Sequence, residues 1–159
     1  MKKAATVLLI VAMLALPSCA PSEKIFSVGK MSITLTSDFE PMDGLGWFDA
    51  IYYSDPDKLT LYIVKEYPED MAERGIDSFD KYVSDAHEDF GKDGGEIRYD
   101  NGFAYFSFED DTESKKAVDT VCMYEFGGTY YMIIFDCEAL GAKSLEDDIL
   151  KYARSVKFG

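Results

Sequence analysis

Three segments of this chain are apolar at consecutive positions, and they limit the possible folds more than any other feature of the sequence. The segments are LTLYIVKEY (59–67), FAYFSF (103–108) and YYMIIF (130–135). In the first of them the side chains of Leu59 and Ile63 point to one side of a strand, while that of Val64 points to the other. Strands that are apolar on both sides have to be covered above and below, so we expect a sheet with helices on both faces.

Turn residues separate these segments and predict hairpins between neighbouring strands. The turns are Asp55-Pro56-Asp57-Lys58, Asn101-Gly102 and Gly127-Gly128, and such residues favour tight reversals of the chain. An earlier stretch, MSITLT (31–36), alternates apolar and polar residues, which predicts a strand with one buried face. Because hairpins join antiparallel strands, the sheet is expected to be mainly antiparallel.

Two longer segments have the apolar period of an α-helix. SFDKYVSDAHEDF (78–90) carries one apolar stripe with Ser78 as the predicted N-cap, and SLEDDILKYARSV (144–156) repeats the pattern with Ser144 as its cap. A shorter helix is predicted in PEDMAER, between Pro68 and Gly75. With a helix on each face of the sheet, the expected class is α+β, a three-layer α/β/α sandwich around a mainly antiparallel sheet.

The N-terminal residues have the layout of a secretory signal. Two lysines precede a 13-residue apolar run from Ala4 to Leu16 that is broken only by Thr6. As a helix this run would span roughly 20 Å, which is too short for the ~30 Å hydrocarbon core of a membrane. The last residue of the run and the three that follow it, Leu16-Pro17-Ser18-Cys19, resemble the bacterial lipobox. In a lipobox the cysteine thiol is diacylated, and the cysteine becomes the new N-terminus.

We therefore predict a lipoprotein signal peptide over residues 1–18, a lipidated tether over 19–24 and a single domain over 25–159. Cys19 is the predicted lipidation site, and the membrane is a predicted partner through that lipid. The expected location is the bacterial cell envelope, outside the cytoplasm. The alternative is an ordinary secreted protein with a chance cysteine at the cleavage point.

The chain left after processing is strongly acidic, with 14 Lys and Arg against 30 Asp and Glu and a net charge of −16. A surface of that sign repels nucleic acid and anionic headgroups, and it attracts cations or basic partners. Nucleic-acid binding is therefore excluded, and an envelope protein or a divalent cation is the expected partner.

The order of elements is an early strand with a Gly-Trp turn, a hairpin, a helix, a meander and the closing GGTYYMIIFDCEALGAKSLEDDILKYARSVKF (127–158). This order resembles the PsbP/Mog1 family, whose members are three-layer α/β/α sandwiches. Some members bind and stabilise photosystem II and its inorganic cofactors, and others bind a small nuclear GTPase. The resemblance implies a non-catalytic binding or assembly role and brings no catalytic residue with it. An unrelated α+β domain with a similar order of elements is the alternative.

His87 is the only histidine of the chain, and it lies beside the apolar stripe of the predicted helix. No Gly-x-Ser-x-Gly motif or comparable catalytic signature is visible. The competing hypothesis is a cell-envelope enzyme, in the first place a hydrolase, whose residues meet only in the folded chain. A cleft that joins His87 to a serine and a carboxylate would favour that hypothesis.

Cys122 and Cys137 lie on either side of the Gly127-Gly128 turn. If Phe126 faces Thr129 across this turn, the two cysteines share one side of the sheet but are offset by four residues. That offset is about 13 Å, against the ~5.5 Å that a disulfide requires. They are predicted to be buried free thiols.

Clustered carboxylates are candidate ligands for Ca²⁺, which takes six to eight oxygen ligands. The candidates are Asp55, Asp57, Asp110, Asp111 and Glu113. None has the spacing of an EF-hand loop, and solvated turns are the alternative interpretation. No other cofactor is expected.

Aromatic residues are the other candidates for a binding surface, because Trp and Tyr are favoured at interface centres. Trp47 in GLGWF, together with Tyr52, Tyr53 and Tyr130, is predicted either to form a partner-binding patch or to belong to the core.

Overall fold

The computed structural model describes residues 21–43, 46–90, 94–111 and 116–159, and Cys19 lies outside them. Seven antiparallel strands form the main sheet in the order β3-β4-β5-β9-β8-β7-β6. They are β3 (Glu40–Met42), β4 (Ala50–Ser54), β5 (Leu59–Glu66), β6 (Arg98–Asp100), β7 (Phe103–Asp111), β8 (Lys116–Phe126) and β9 (Thr129–Glu138). A smaller sheet has the order β1-β2-β10, with β1 (Glu23–Val28), β2 (Met31–Thr36) and β10 (Lys157–Phe158).

Three helices complete the described part: α1 (Pro68–Glu73), α2 (Phe79–Phe90) and α3 (Ala139–Arg154). The α3 helix and the small sheet cover one side of the main sheet, here called the α3 face. The other side is covered by α1 and α2 and is called the α2 face. The predicted three-layer α+β sandwich is confirmed. Of the described helices, none is both long enough and apolar enough to cross a membrane.

The predicted hairpins and their register are confirmed. Phe126 pairs with Thr129 across the Gly127-Gly128 turn, and both glycines have the positive φ that this turn requires. Cys122 lies opposite Ile133, and Cys137 lies opposite Val118. Both cysteines are buried and neither forms a disulfide, as the four-residue offset predicted.

The two shorter helices also agree with the prediction. The Lys81 amide donates to Ser78 Oγ at 3.4 Å, so Ser78 caps α2. The α1 helix begins at Pro68, as the sequence indicated.

The start of α3 is a correction. The helix begins at Ala139, and Ser144 lies inside it with its hydroxyl donating to the Gly141 carbonyl at 2.7 Å. Ser144 is therefore not an N-cap. Most of the preceding residues are good helix formers, and the chain passes from β9 into the helix after Glu138, without a separate capping residue.

Strand β1 was missed in the sequence, where Glu23 and Lys24 were assigned to the tether. These two residues begin β1, which pairs with β2 along its whole length. In EKIFSV only Phe26 is fully buried, so the strand lacks the apolar alternation that makes β2 recognisable. Its main-chain pairing with β2 holds it in place.

Candidate functional site

A groove of about 250 Å³ opens on the α2 face beside α2. Helix α2 packs mainly over β7 and β8, which leaves the neighbouring strands β5 and β9 less covered. Val64 from β5 and Met132 and Ile134 from β9 form the floor of the groove. The floor is therefore the apolar side of the sheet itself, at a place that none of the described helices covers completely.

Two exposed aromatic side chains stand at the margins of this groove. Trp47, in the loop before β4, is 78% exposed, and Phe90, at the end of α2, is 42% exposed. Trp47 stacks on Phe48 with ring centroids 5.2 Å apart, and Phe48 packs on Tyr62 of β5 at 4.8 Å. The groove is thus lined by a nearly continuous apolar surface from the loop to the helix.

An ion-pair network forms the polar side of the groove. Arg74 donates to Glu66 Oε1 at 2.9 Å and to Asp85 Oδ2 at 2.6 Å, and Asp89 lies 4.0 Å away. The hydroxyl of Tyr82 donates to the second oxygen of Glu66. The network ties α1, α2 and the end of β5 together, and its three carboxylates outnumber its one cation.

Tyr82 is only 1% exposed, and this burial raises the pKa of its phenol well above the usual value, with the charge of Glu66 adding to the shift. The phenol therefore stays protonated and remains a hydrogen-bond donor to Glu66. Its ring stacks on Tyr130 with centroids 4.6 Å apart, which fixes the α2 wall of the groove against the sheet.

The structure separates the aromatic residues that the sequence grouped together. Tyr52 is 8% exposed and packs on Phe26 of the α3 face, with ring centroids 4.7 Å apart. Tyr130 is 6% exposed, in the core of the α2 face. Tyr53 is half-buried and donates its hydroxyl to Asp55. Because Tyr52 and Tyr53 are neighbours on β4, they point to opposite sides of the sheet, so the four predicted residues do not share one patch, and Tyr52 and Tyr130 belong to the core.

The candidate Ca²⁺ ligands lie in two places. Asp55 is held by Lys58 Nζ at 2.8 Å, and this hydrogen bond, with the charge of Lys58, lowers the pKa of the Asp55 carboxyl. Asp57 accepts a hydrogen bond from Ser54 Oγ at 3.2 Å. Asp110 is exposed near the end of β7, and the other two predicted ligands of its cluster, Asp111 and Glu113, follow it in the sequence.

The side chain of Asp111 and all of Glu113 lie outside the described residues. Within the described ranges, no three His, Cys, Asp or Glu side chains come together closely enough to hold a metal ion. Ca²⁺ binding stays a prediction.

His87 connects α2 to the segment before β6. Its Nε2 lies 3.1 Å from the Gly95 carbonyl oxygen, and its ring meets Phe106 edge-on at 4.8 Å. Among the described residues, no serine or carboxylate forms a hydrogen bond with it.

Sequence reasoning identified Trp47 but missed Arg74 and Phe90 as parts of one site. Phe90 belongs to the apolar stripe of α2, and such a stripe predicts burial for all of its members. Arg74 follows α1 without any motif, and its three carboxylate partners come from two other elements. The sequence feature that indicates this site is a tryptophan in a glycine-containing loop. Tryptophan is highly buried on average, so its presence in a loop of this kind is unusual.

Comparison with known proteins shows the fold. The chain is similar to cyanobacterial PsbP (CyanoP) from Synechocystis sp. PCC 6803, with a TM-score of 0.54 and 12% identity over 90% of this chain and 96% of that one. It is also similar to the Ran-binding protein Mog1p from Saccharomyces cerevisiae, with a TM-score of 0.54 and 10% identity over 87% of this chain and 96% of that one.

A third similar structure comes from Bacteroides thetaiotaomicron VPI-5482, with a TM-score of 0.57 and 12% identity over 87% of this chain. The chain matches only 48% of that longer protein. No protein-family model matches the sequence, and no curated protein matches it. The chain has a PsbP/Mog1-like fold, and the expectation from the order of elements is confirmed at that level.

Proposed function

We propose that this protein is a lipid-anchored, extracytoplasmic binding or assembly module without catalytic activity, and that the groove on the α2 face receives an apolar side chain of a protein partner. The fold supports this proposal because Mog1p, which shares it, is a Ran-binding protein. The groove supports it because its lining is almost entirely apolar apart from the Arg74 network.

The exposure of Trp47 is the observation that carries the proposal. A tryptophan buries 150–250 Å² when it is covered, so a partner that covers its exposed part gains roughly 3 to 4 kcal/mol from apolar area alone. Residues with gains of this size dominate protein interfaces. In the free protein this free energy is not realised, because the ring contacts only Phe48 among the aromatic residues described.

Charge defines the chemistry of the partner. Asp89 is 68% exposed at the groove, and it is only at the limit of ion-pair distance from Arg74. A basic side chain next to the inserted apolar residue would pair with this carboxylate. The partner segment is therefore apolar and basic, which agrees with a processed chain of net charge −16.

Anchoring at Cys19 is compatible with access to the groove. Pro21, two residues after Cys19 in the sequence, lines the same open cleft as Pro56 of the β4–β5 turn, at one end of the main sheet. Val64 and Glu66 lie five and seven positions along β5 from its first residue, or about 16 to 23 Å at strand spacing. A lipid attached at Cys19 would therefore bring the Pro21 end of the domain near the membrane, and the groove, which lies further along β5, would stay accessible.

The anchor is tested by Cys19→Ala in the full-length precursor. The variant is expected to accumulate unprocessed or to leave the membrane fraction, as seen by fractionation and mass spectrometry of the N-terminus. Normal processing together with normal retention would contradict lipidation, and it would leave the groove hypothesis unaffected.

The groove is tested by co-purification from native envelopes with Trp47→Ala and Tyr99→Ala in parallel. Tyr99 is a matched control, since it is 62% exposed on β6, at the far edge of the sheet. We expect Trp47→Ala to lose the co-purifying partner and Tyr99→Ala to keep it. Equal retention by both variants would remove the groove as the binding surface.

A further inference from the structure

A second cleft, of about 300 Å³, lies on the α3 face, far from Trp47 in the fold. It is bounded by the first half of α3 on one side and by residues 95–98, before and within β6, on the other. Strands β7, β8 and β9 form its floor. Its volume falls at the small end of ligand pockets in proteins.

Each of the two walls carries one cation and one carboxylate. Glu96 and Arg98 stand on the β6 side, and Lys143 and Glu146 stand on α3. In the described part of the chain, none of these four side chains has an ion-pair partner. By contrast, Lys58 and Arg154 each form an ion pair with a carboxylate.

The floor combines two hydroxyls with an apolar surface. Ser107 Oγ and Thr120 Oγ1 lie 2.9 Å apart, and Thr120 is only 8% exposed. Val118, Cys137 and Ile149 surround this pair. A molecule in the cleft would therefore meet two hydrogen-bonding hydroxyls and a patch of aliphatic and thiol groups at its inner end.

We propose that this cleft binds a small zwitterion with an apolar body, of the chemical class of apolar α-amino acids. The two cations receive the carboxylate, the two carboxylates receive the ammonium group, and the apolar body lies against the floor. A simple anion or a simple cation would leave two like charges of the walls unanswered beside it. This proposal does not depend on the groove of the α2 face, because the two sites share no residue.

Calorimetric titration of the mature domain with L-leucine tests the proposal, with 4-methylpentanoate and isoamylamine as analogues that lack the ammonium or the carboxylate group. We expect saturable binding of one leucine per chain and a loss of roughly tenfold or more for either analogue, because each loses charge-assisted hydrogen bonds. No saturable binding of leucine would overturn the proposal. Equal affinity for leucine and either analogue would overturn it as well.

Variants then assign the binding to the cleft. Arg98→Gln and Glu146→Gln, both at exposed positions, are expected to weaken leucine binding by roughly tenfold each. Lys151→Gln is the matched control, since Lys151 lies on the same helix but pairs with Glu23 outside the cleft. It should bind leucine like the parent protein. Unchanged binding in both cleft variants would show that leucine binds elsewhere and would overturn the assignment.

Discussion

The two sides of the main sheet differ in how completely they are covered. Ile133 and Ile134 are neighbours on β9, yet Ile133 is fully buried on the α3 face and Ile134 lines the open groove of the α2 face. The α3 face has a helix of 16 residues and a three-stranded sheet over it. The α2 face has helices of 6 and 12 residues, and the longer of them spans only about 18 Å.

Apolar strands therefore predict which faces of a sheet are buried but not how completely each face is covered. Tyr62 and Val64 belong to the same apolar run as Leu61 and Ile63 on the other side of β5, yet both are only partly buried. The groove forms where the helices of the α2 face do not cover the sheet completely. A surface that lacks cover from its own chain is available to a partner, whereas Ile63 and Ile133, on the α3 side of the same two strands, are fully buried.

The largest expected effect comes from the pair of isoleucines. Ile133→Ala should lower the free energy of unfolding by about 4 kcal/mol, because a fully enclosed side chain leaves a cavity when it is truncated. Ile134→Ala should cost less, about 2 to 3 kcal/mol, because this side chain, although only 9% exposed, lines the groove, and solvent can enter part of the space that truncation leaves. Urea unfolding of the two variants measures both values, and equal losses would contradict the difference in cover.

Alkaline unfolding compares the faces at two buried tyrosines. Burial raises the pKa of Tyr82 on the α2 face and of Tyr124 on the α3 face, so both stay protonated when folded. The unfolded chain loses these protons near pH 10, so stability is intact below that pH and falls above it. The expected loss is about 1.4 kcal/mol per pH unit for each such tyrosine.

Tyr82→Phe and Tyr124→Phe should each remove one such contribution from the slope of stability against pH. Denaturant unfolding between pH 9 and pH 11 gives that slope. If Tyr124→Phe changes the slope but Tyr82→Phe leaves it the same as in the parent protein, then water reaches the Tyr82 phenol in the folded protein. The α2 face would then be too open to keep this phenol protonated.

A smaller effect separates the ion pairs of the two faces. Arg74→Met should destabilise the protein by about 1 kcal/mol, because it leaves Glu66, which is 20% exposed, without its cation. Lys151→Met removes a pair whose members are more than half exposed, and its effect should be smaller than that of Arg74→Met. Melting curves at low and high salt measure both variants. Equal and salt-insensitive losses would mean that the Arg74 network does not hold the groove wall.

Much of the fold was predictable because local chemistry determines it. The Gly127-Gly128 turn sets the register of β8 and β9, and the apolar stripe of α2 identifies its buried side. Strand β1 was not predictable, since only Phe26 marks it, and its place depends on pairing with β2. The start of α3 was misplaced because Ser144 resembles a cap, although the residues before it already form helix.

The candidate site was predictable only in part. Trp47 stood out by residue type, but Tyr52 and Tyr53 could not be sorted without the position of the small sheet, which covers Tyr52 through Phe26. Arg74 meets its partners only when α1, α2 and β5 come together. Sequence periodicity carries no information about such meetings of distant elements.

Site-specific photo-crosslinking shows whether the groove of the α2 face binds a protein partner. A benzophenone side chain is introduced at Phe90, which leaves Trp47 in place, or, as the control, at Tyr99, in the anchored protein within native envelopes. We predict a discrete crosslinked adduct from position 90, lost when Trp47→Ala is added and reduced at high salt, and no such adduct from position 99. The same adducts from both positions, or none from position 90, would contradict binding at the groove.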